Sequence, residues 1–292
     1  MLVRYFNGIL CGVIIFPRVF MNRDSSISPI RMLSFYTNRH LIITLVRREV
    51  AARYRGSLFG NLWALFTPLF MLAVYTFIFS VVFKARWSGG SDSRSEFALV
   101  LFAGLMVFNL FSECFNRAPR LILENVNYVK KVVFPLDILP WVAFGSAMIN
   151  LVISFLVWIA FYTIAFGIPP VTALLFPVVI LPLALLVLGV SWALAAMGVY
   201  LRDLSQLVGV ISTILMFLSP IFYPVEALPE EYRHWLNVNP LTPVIVQVRD
   251  VLYWGKLPSW ELYSTTLIIG MAIMYAGFAL FQKTRKGFAD VL

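Results

Sequence analysis

Apolar residues dominate five stretches of close to twenty residues or more, and a sixth is bounded by charge and proline. A helix needs about 20 such residues to cross the hydrocarbon core of a bilayer. The pattern predicts six spans, at residues 63–83, 97–115, 139–166, 171–200, 207–223 and 262–281. Residues 40–62 differ: Leu41, Thr44/Leu45, Arg48, Ala51/Ala52 and Tyr54 mix apolar and basic positions at helical spacing, which predicts an amphipathic helix in the membrane interface. Its arginines, Arg47, Arg48, Arg53 and Arg55, would face phosphates or a cytosolic protein, or else serve only as a basic stop before the first span. Residues 116–138 carry too much charge to cross. Leu121, Glu124/Asn125, Tyr128 and Val132 share one helical face there, predicting a short cytoplasmic helix that ends before Pro135.

After the fifth span, Pro220, Pro224, Pro229, Pro240, Pro243 and Pro258 interrupt a semi-apolar stretch containing Tyr223, Tyr232, Trp235, Tyr253, Trp254 and Trp260. Two readings stand: short helices dipping into the outer leaflet, or an aromatic-rich external loop. Residues 1–39 form an N-terminal cytoplasmic extension. Its apolar stretch 6–17 is broken by Asn7 and Pro17 and lacks a small-x-small site, so it reads as an interfacial anchor, or as sequence upstream of a true start at Met21 or Met32.

Alternating the loops between two sides puts 17 of the 23 basic residues on the side that holds both termini, which the positive-inside rule makes cytoplasmic. The net charge of +9 is then an orientation signal, with acidic lipid head groups as partners and nucleic acid excluded. Composition agrees with the pattern: 61% hydrophobic against 13% charged residues, with mean hydropathy +0.86, excludes a water-soluble globule and a disordered chain. The fold class is therefore all-α integral membrane.

Several chemistries lack their residues. No G-x-x-x-x-G-K-[ST] loop or Gly-rich dinucleotide fingerprint occurs, so any ATP energy must come from another chain. Cys11 and Cys114 give no disulfide framework, and His40 and His234 fall on opposite predicted sides, which leaves no metal site and no catalytic triad. Glu113 is the one ionisable candidate in the spans, with Arg117 one turn later as its expected partner. That scarcity argues against an ion-coupled transporter. Aromatic residues make up 16% of the chain, and Phe66, Phe70 and Phe77, like Phe108, Phe111 and Phe115, recur on common helical faces. They either pack against lipid and helices or, with Tyr75 and Phe217, line a conduit for sugar rings.

The segment RREVAARYRGSLFGNLWALFTPLFMLAVYTFIFSVVF, residues 47–83, resembles the start of the membrane subunit of type-2 ABC exporters for O-antigen polysaccharide, the Wzm-like permeases. The likeness continues through residues 125–135, YLRDL at 200–204, SPIFYP at 219–224 and NPLTP at 239–243, and is absent from residues 1–35. The resemblance implies a homodimer of six-span subunits in the bacterial inner membrane. It also implies an amphipathic interface helix at 40–62, a coupling helix between spans two and three, and re-entrant helices before the last span in a transmembrane domain of residues 63–292. Each subunit would dock on a separate cytosolic ATPase, in a 2:2 complex, with ATP and Mg bound by that partner and no cofactor in this chain. Glu49, Leu121, Glu124, Asn125, Tyr128 and Lys130 become the candidate ATPase contacts, and Arg47, Arg48, Arg53 and Arg55 the candidates for the pyrophosphate of an undecaprenyl-linked polysaccharide. Capsule, teichoic-acid and drug exporters share the architecture. A membrane enzyme acting on lipid-linked sugars would need clustered acidic or histidine residues, whereas the close acidic pairs, Asp92/Glu96 and Glu230/Glu231, read as solvated loop charge.

Overall fold

The structure is a computed structural model that describes residues 34–53, 55–57, 59–78, 87, 94–130, 134–227, 229–231, 236 and 239–292. Expectations for residues 1–33, for Tyr54, for the end of the first span and for Asp92, Val132, Tyr232, His234 and Trp235 lie outside these residues. No strand occurs among the described residues.

The principal helices are α1 (Ser34–Arg53), α2 (Trp63–Thr76), α3 (Arg94–Arg117), α4 (Val126–Lys130), α5 (Leu139–Phe166), α6 (Phe176–Tyr200), α7 (Leu204–Leu218), α8 (Thr242–Arg249), α9 (Trp260–Thr284) and α10 (Phe288–Val291). With adjoining turns, four helical stretches are long and apolar enough to cross a membrane: Ser95–Arg120, Leu136–Phe166, Val171–Tyr200 and Trp260–Val291. They fall where the second, third, fourth and sixth spans are expected. At the first and fifth places stand the shorter apolar helices α2 and α7, of 14 and 15 residues. A 15-residue helix rises only about 22 Å, short of a ~30 Å core. The expected span 207–223 ends early because Ser219 turns extended (ψ 145°) and Pro220 cannot continue a helix.

Local chemistry sets the other boundaries. Pro140, Pro177 and Pro243 sit in the first turns of α5, α6 and α8, where a missing N–H costs nothing. Gly167 (φ 87°) stops α5, and its positive φ is one that a side chain resists. The amphipathic helix covers Ser34–Arg53 and not 40–62, because Gly56 and Gly60 take φ of 83° and 51° and break the chain before α2. Its buried stripe is Ile42, Leu45 and Val46, one position round from the expected row.

The core centres on α3, whose residues 97–103 are all buried. Trp158 of α5 donates its indole N–H to Leu99 O at 3.0 Å, which satisfies the polar edge of a fully buried ring. Helices α6 and α9 meet backbone to backbone. A Cβ on Gly270 would lie 2.7 Å from Pro182 O, one on Gly189 would lie 2.5 Å from the Ile273 backbone, and one on Gly277 would strike Gly189 O. Small residues allow this close approach where lipid offers no hydrophobic drive to association. One end of the bundle gathers Leu121, Ile122, Leu136, Val199, Phe281 and Phe288, so that the 116–138 and 282–292 segments meet the end of α6. Phe97, Ile221, Phe222, Leu241 and Val251 belong to the larger cluster built around α3.

Candidate functional site

Three arrangements stand out, one at the end that holds α1, one where α8 meets α3, and one on the open faces of α2 and α7.

Helix α1 turns Glu49 and Arg53 inward, in line with its apolar stripe. Arg53 donates to Glu113 Oε1 at 2.5 Å and to Ser146 Oγ at 3.0 Å, while Arg117 pairs with Glu49. Asn150 donates to the other Glu113 oxygen at 2.8 Å, and Asn116 reaches Ser212 Oγ at 3.1 Å. The expected Glu113–Arg117 pair along one helix is thus replaced by two crossed pairs between helices. The reason is geometric: α1 packs on α5, and from there Glu49 and Arg53 reach across to Arg117 and Glu113 of α3, so that each meets an opposite charge. The network ties α1 to α3 and α5, and Asn116 adds α7. Side-chain exposures of 19–32% leave these pairs partly desolvated, so they are worth more than loose surface pairs.

The second arrangement escaped sequence reading, which did not single out Arg249 within the proline-broken segment. Arg249 is 5% exposed. Its guanidinium donates to Val100 O at 3.0 Å, Pro220 O at 2.5 Å and Ile221 O at 2.7 Å, and stands 4.4 Å from the centre of the Trp87 ring. Two of these carbonyls belong to the break after α7, where proline and the turn leave backbone groups outside the helix ladder. Asn239 completes the corner: it donates to Ser219 Oγ at 2.8 Å and accepts from Leu241 N at 3.0 Å. The proline-rich segment therefore folds onto the protein rather than lying loose, and α8 and the π-helical turn Asp250–Trp254 bury Val244, Ile245, Val248, Val251 and Leu252. A broken backbone at membrane depth is tolerable when protein satisfies it in this way. The signal available in the sequence was a lone arginine inside the apolar run TPVIVQVRDVLYW.

The third arrangement concerns the aromatic rows. On α2 the sole buried residue is Leu72, whereas Phe70 and Phe77 are each 60% exposed and Phe66 is half-buried. On α7, Phe217 is 62% exposed and, with Thr213, Ile214 and Leu218, lines an open depression of about 420 Å³. Phe222 bridges the two helices, its ring centre 5.6 Å from Tyr75 and 6.1 Å from Phe217. The row on α3 is different. Phe108 and Phe111 are buried in the core, and Phe111 stacks on half-buried Phe115 at 4.8 Å. Phe108 and Phe111 therefore pack the interior and expose almost no ring surface in this conformation, unlike Phe70, Phe77 and Phe217.

The remaining candidates divide similarly. Arg47 and Arg55 are exposed, Arg48 donates to the Tyr128 hydroxyl at 3.0 Å, and Arg53 is engaged with Glu113. Residues 118–130 form short 3-10 turns and α4, not one helix. Leu121 is 2% exposed beneath them and Glu49 is held by Arg117, so neither offers its side chain to a partner here. Asn125 donates to Leu121 O, Tyr128 stacks on Phe134 at 4.3 Å, and Lys130 donates to the Leu292 main-chain oxygen. Glu124 and Lys130 remain on the outer surface with Arg120 and Asn127. Among the described residues no group of three or more His, Cys, Asp or Glu gathers that could hold a metal ion.

Comparison with known proteins places residues 40–253 in a match to the family described as ABC-2 type transporter. The chain is 29% identical over 258 residues to the O-antigen export system permease protein RfbA of Myxococcus xanthus, covering 87% of this chain and 96% of that protein. It is 25% identical over 254 residues to the RfbA permease of Klebsiella pneumoniae, covering 86% and 95%. The polysialic acid transport protein KpsM of Escherichia coli is 22% identical over 263 residues, covering 86% and 96%.

Proposed function

We propose that this chain, which belongs to the ABC-2 type transporter family, is the membrane subunit of an ATP-driven exporter of lipid-linked polysaccharide, O-antigen in the first place. The carrying observation is the likeness along most of the chain to permeases named for O-antigen export. It is a multi-pass membrane protein. In this reading α2 and α7, extended by neighbouring residues, complete six spans in the bacterial inner membrane with both termini cytoplasmic. Two copies enclose the conduit.

The open aromatic faces of α2 and α7 support that arrangement. Exposed Phe70, Phe77 and Phe217 offer ring faces on which sugars slide without deep hydrogen-bonding wells. A separate cytosolic ATPase binds ATP and Mg, docks on the surface of Arg120, Glu124, Asn127 and Lys130, and bears on α1. The crossed pairs Arg53–Glu113 and Glu49–Arg117 then carry a displacement of α1 to α3 and α5. Coupling requires that the ATPase bind two states of this bundle with different affinity. Arg47, Arg48 and Arg55 face the side from which a lipid pyrophosphate arrives. Export of a capsular polysaccharide is the second reading, favoured by the similarity to KpsM.

The test is to co-express the chain with the ATPase encoded beside it and purify both. A 2:2 complex whose ATP hydrolysis depends on this subunit, and which restores surface O-antigen to a strain lacking the permease, is expected. No association with any ATPase would overturn the proposal. A complex that restores capsule but not O-antigen would favour the second reading.

A further inference from the structure

From Phe97 to Phe108 every residue of α3 is buried, and the helix first opens at Asn109. Asn116 is the next exposed position, with Ser112 and Glu113 half-buried between them. Asn109 precedes Glu113 by four residues and Asn116 by seven, so these positions share one helical face. Asn116 donates to Ser112 O at 2.8 Å and to Ser212 Oγ at 3.1 Å, which sets one edge of the face against α7. Glu113, held by Arg53 and Asn150, sets the other edge against α1 and α5. Between these edges the side-chain amide of Asn109 has no hydrogen-bond partner among the described residues.

The depth of Asn109 follows from helix length. Ser95–Arg120 has 26 residues, about 39 Å of helix, enough to pass a ~30 Å hydrocarbon core with both ends projecting. Asn109 falls about 2 Å from the middle of that helix, and about 7 Å from the middle of its uncharged run 97–112. On either measure it stands within the hydrocarbon layer. Open positions of α5 and α9 are, by contrast, Val152, Leu156, Ile268, Ile269 and Met271, which suit acyl chains. An amide turned to acyl chains would give up its hydrogen bonds to water without replacement. Polar side chains at this depth face a water-filled cavity or another chain.

We propose that the strip from Asn109 to Asn116 is the wet side of the conduit, where these two amides exchange hydrogen bonds with water and with the hydroxyls of the passing polysaccharide. The inference deepens the export reading above and rests on it. Chemistry selects the occupant: a carboxamide both donates and accepts, as a sugar hydroxyl does, and carries no charge that would hold one sugar fast. Phe70, Phe77 and Phe217 offer ring faces, and α3 adds the hydrogen bonds that rings lack. The contribution of α3 to the conduit is thus its asparagines and not its buried phenylalanines.

The experiment uses the full chain co-expressed with its partner ATPase, in membranes, with Cys11→Ser and with Cys114, 1% exposed, left in place as an unreactive blank. Asn109→Cys and Asn116→Cys should react with a charged methanethiosulfonate applied from both aqueous phases, and Leu156→Cys should not. Labelling of Asn109→Cys should run several-fold slower in membranes that hold the lipid-linked polysaccharide than in those of a strain unable to make it. Asn109→Leu should lower export per molecule of protein about two- to tenfold, the loss of one neutral hydrogen bond, while Asn109→Ser keeps most of it and both elute as the wild type does. An Asn109→Cys that stays unlabelled, whether or not it crosslinks to a second copy, would overturn the wet strip. Equal labelling with and without the polysaccharide, or full export by Asn109→Leu, would overturn the occupant. Labelling does not depend on the cargo, so a reactive strip in a chain that exports no polysaccharide would overturn the export reading and the occupant together while the wet strip stands.

Discussion

Replacing Arg249 by lysine keeps the charge and removes the fork. The guanidinium reaches three carbonyls in different directions, at 3.0, 2.5 and 2.7 Å, and lies beside the Trp87 ring. A shorter side chain ending in a single ammonium cannot span Val100 and the Pro220–Ile221 turn together, so two of the three bonds are lost. Hydrogen bonds from a charged donor contribute about 1.5–3 kcal/mol each, and relaxation recovers part, so the expected loss is about 3 kcal/mol. For a chain of this size that is roughly 6–12 °C in the unfolding temperature. The assay is thermal unfolding of the purified protein in detergent, followed by size-exclusion chromatography of what survives each temperature. Gly104→Ala provides an independent perturbation: its Cβ would lie 2.8 Å from Arg249 Nη2 and push that donor from Ile221, with no change in charge. It should cost about 1–2 kcal/mol. Lys256→Ala, on the exposed side of the same segment, should change nothing. If Arg249→Lys unfolds with the wild type and the Lys256 control, the clamp does not hold the proline-rich segment and the reasoning fails.

Other predictions follow from the same geometry. Arg53→Glu places a carboxylate against Glu113 and should lower stability and export together, while the exchange Arg53→Glu with Glu113→Arg recovers about 1 kcal/mol of the loss; a double-mutant cycle without coupling would refute the crossed pairing. Gly277→Ala drives a methyl into Gly189 O and should cost about 1–3 kcal/mol, whereas Gly209→Ala, with open space around it, should be neutral or slightly stabilising; equal thermal shifts would contradict the close α6–α9 contact. Phe111→Ala should lose about 3–5 kcal/mol by emptying the core, while Phe70→Ala should leave unfolding unchanged and reduce export per molecule of protein. A stable Phe111→Ala protein, or a Phe70→Ala protein that exports normally, would contradict the division between core and open aromatics.

The sequence by itself determined what a bilayer enforces. Long apolar runs must become helices in lipid, because every backbone N–H and C=O needs a partner where water is absent, and so the places of α3, α5, α6 and α9 were legible from composition and spacing. Prolines likewise announced a broken segment after the fifth span, although the expected span ran past the end of α7 at Leu218. The tertiary structure decided what depends on direction. Hydropathy assigns residues to a helix without telling lipid from protein, since both are apolar, and only assembly shows that Phe111 is enclosed while Phe70 is open. Periodicity placed Glu113 and Arg117 one turn apart, but which charge each meets was settled by the approach of α1 carrying Glu49 and Arg53. Arg249 is the sharpest case: in the chain it is one basic residue in a loop, and its role exists only where a distant helix break turns two carbonyls toward it.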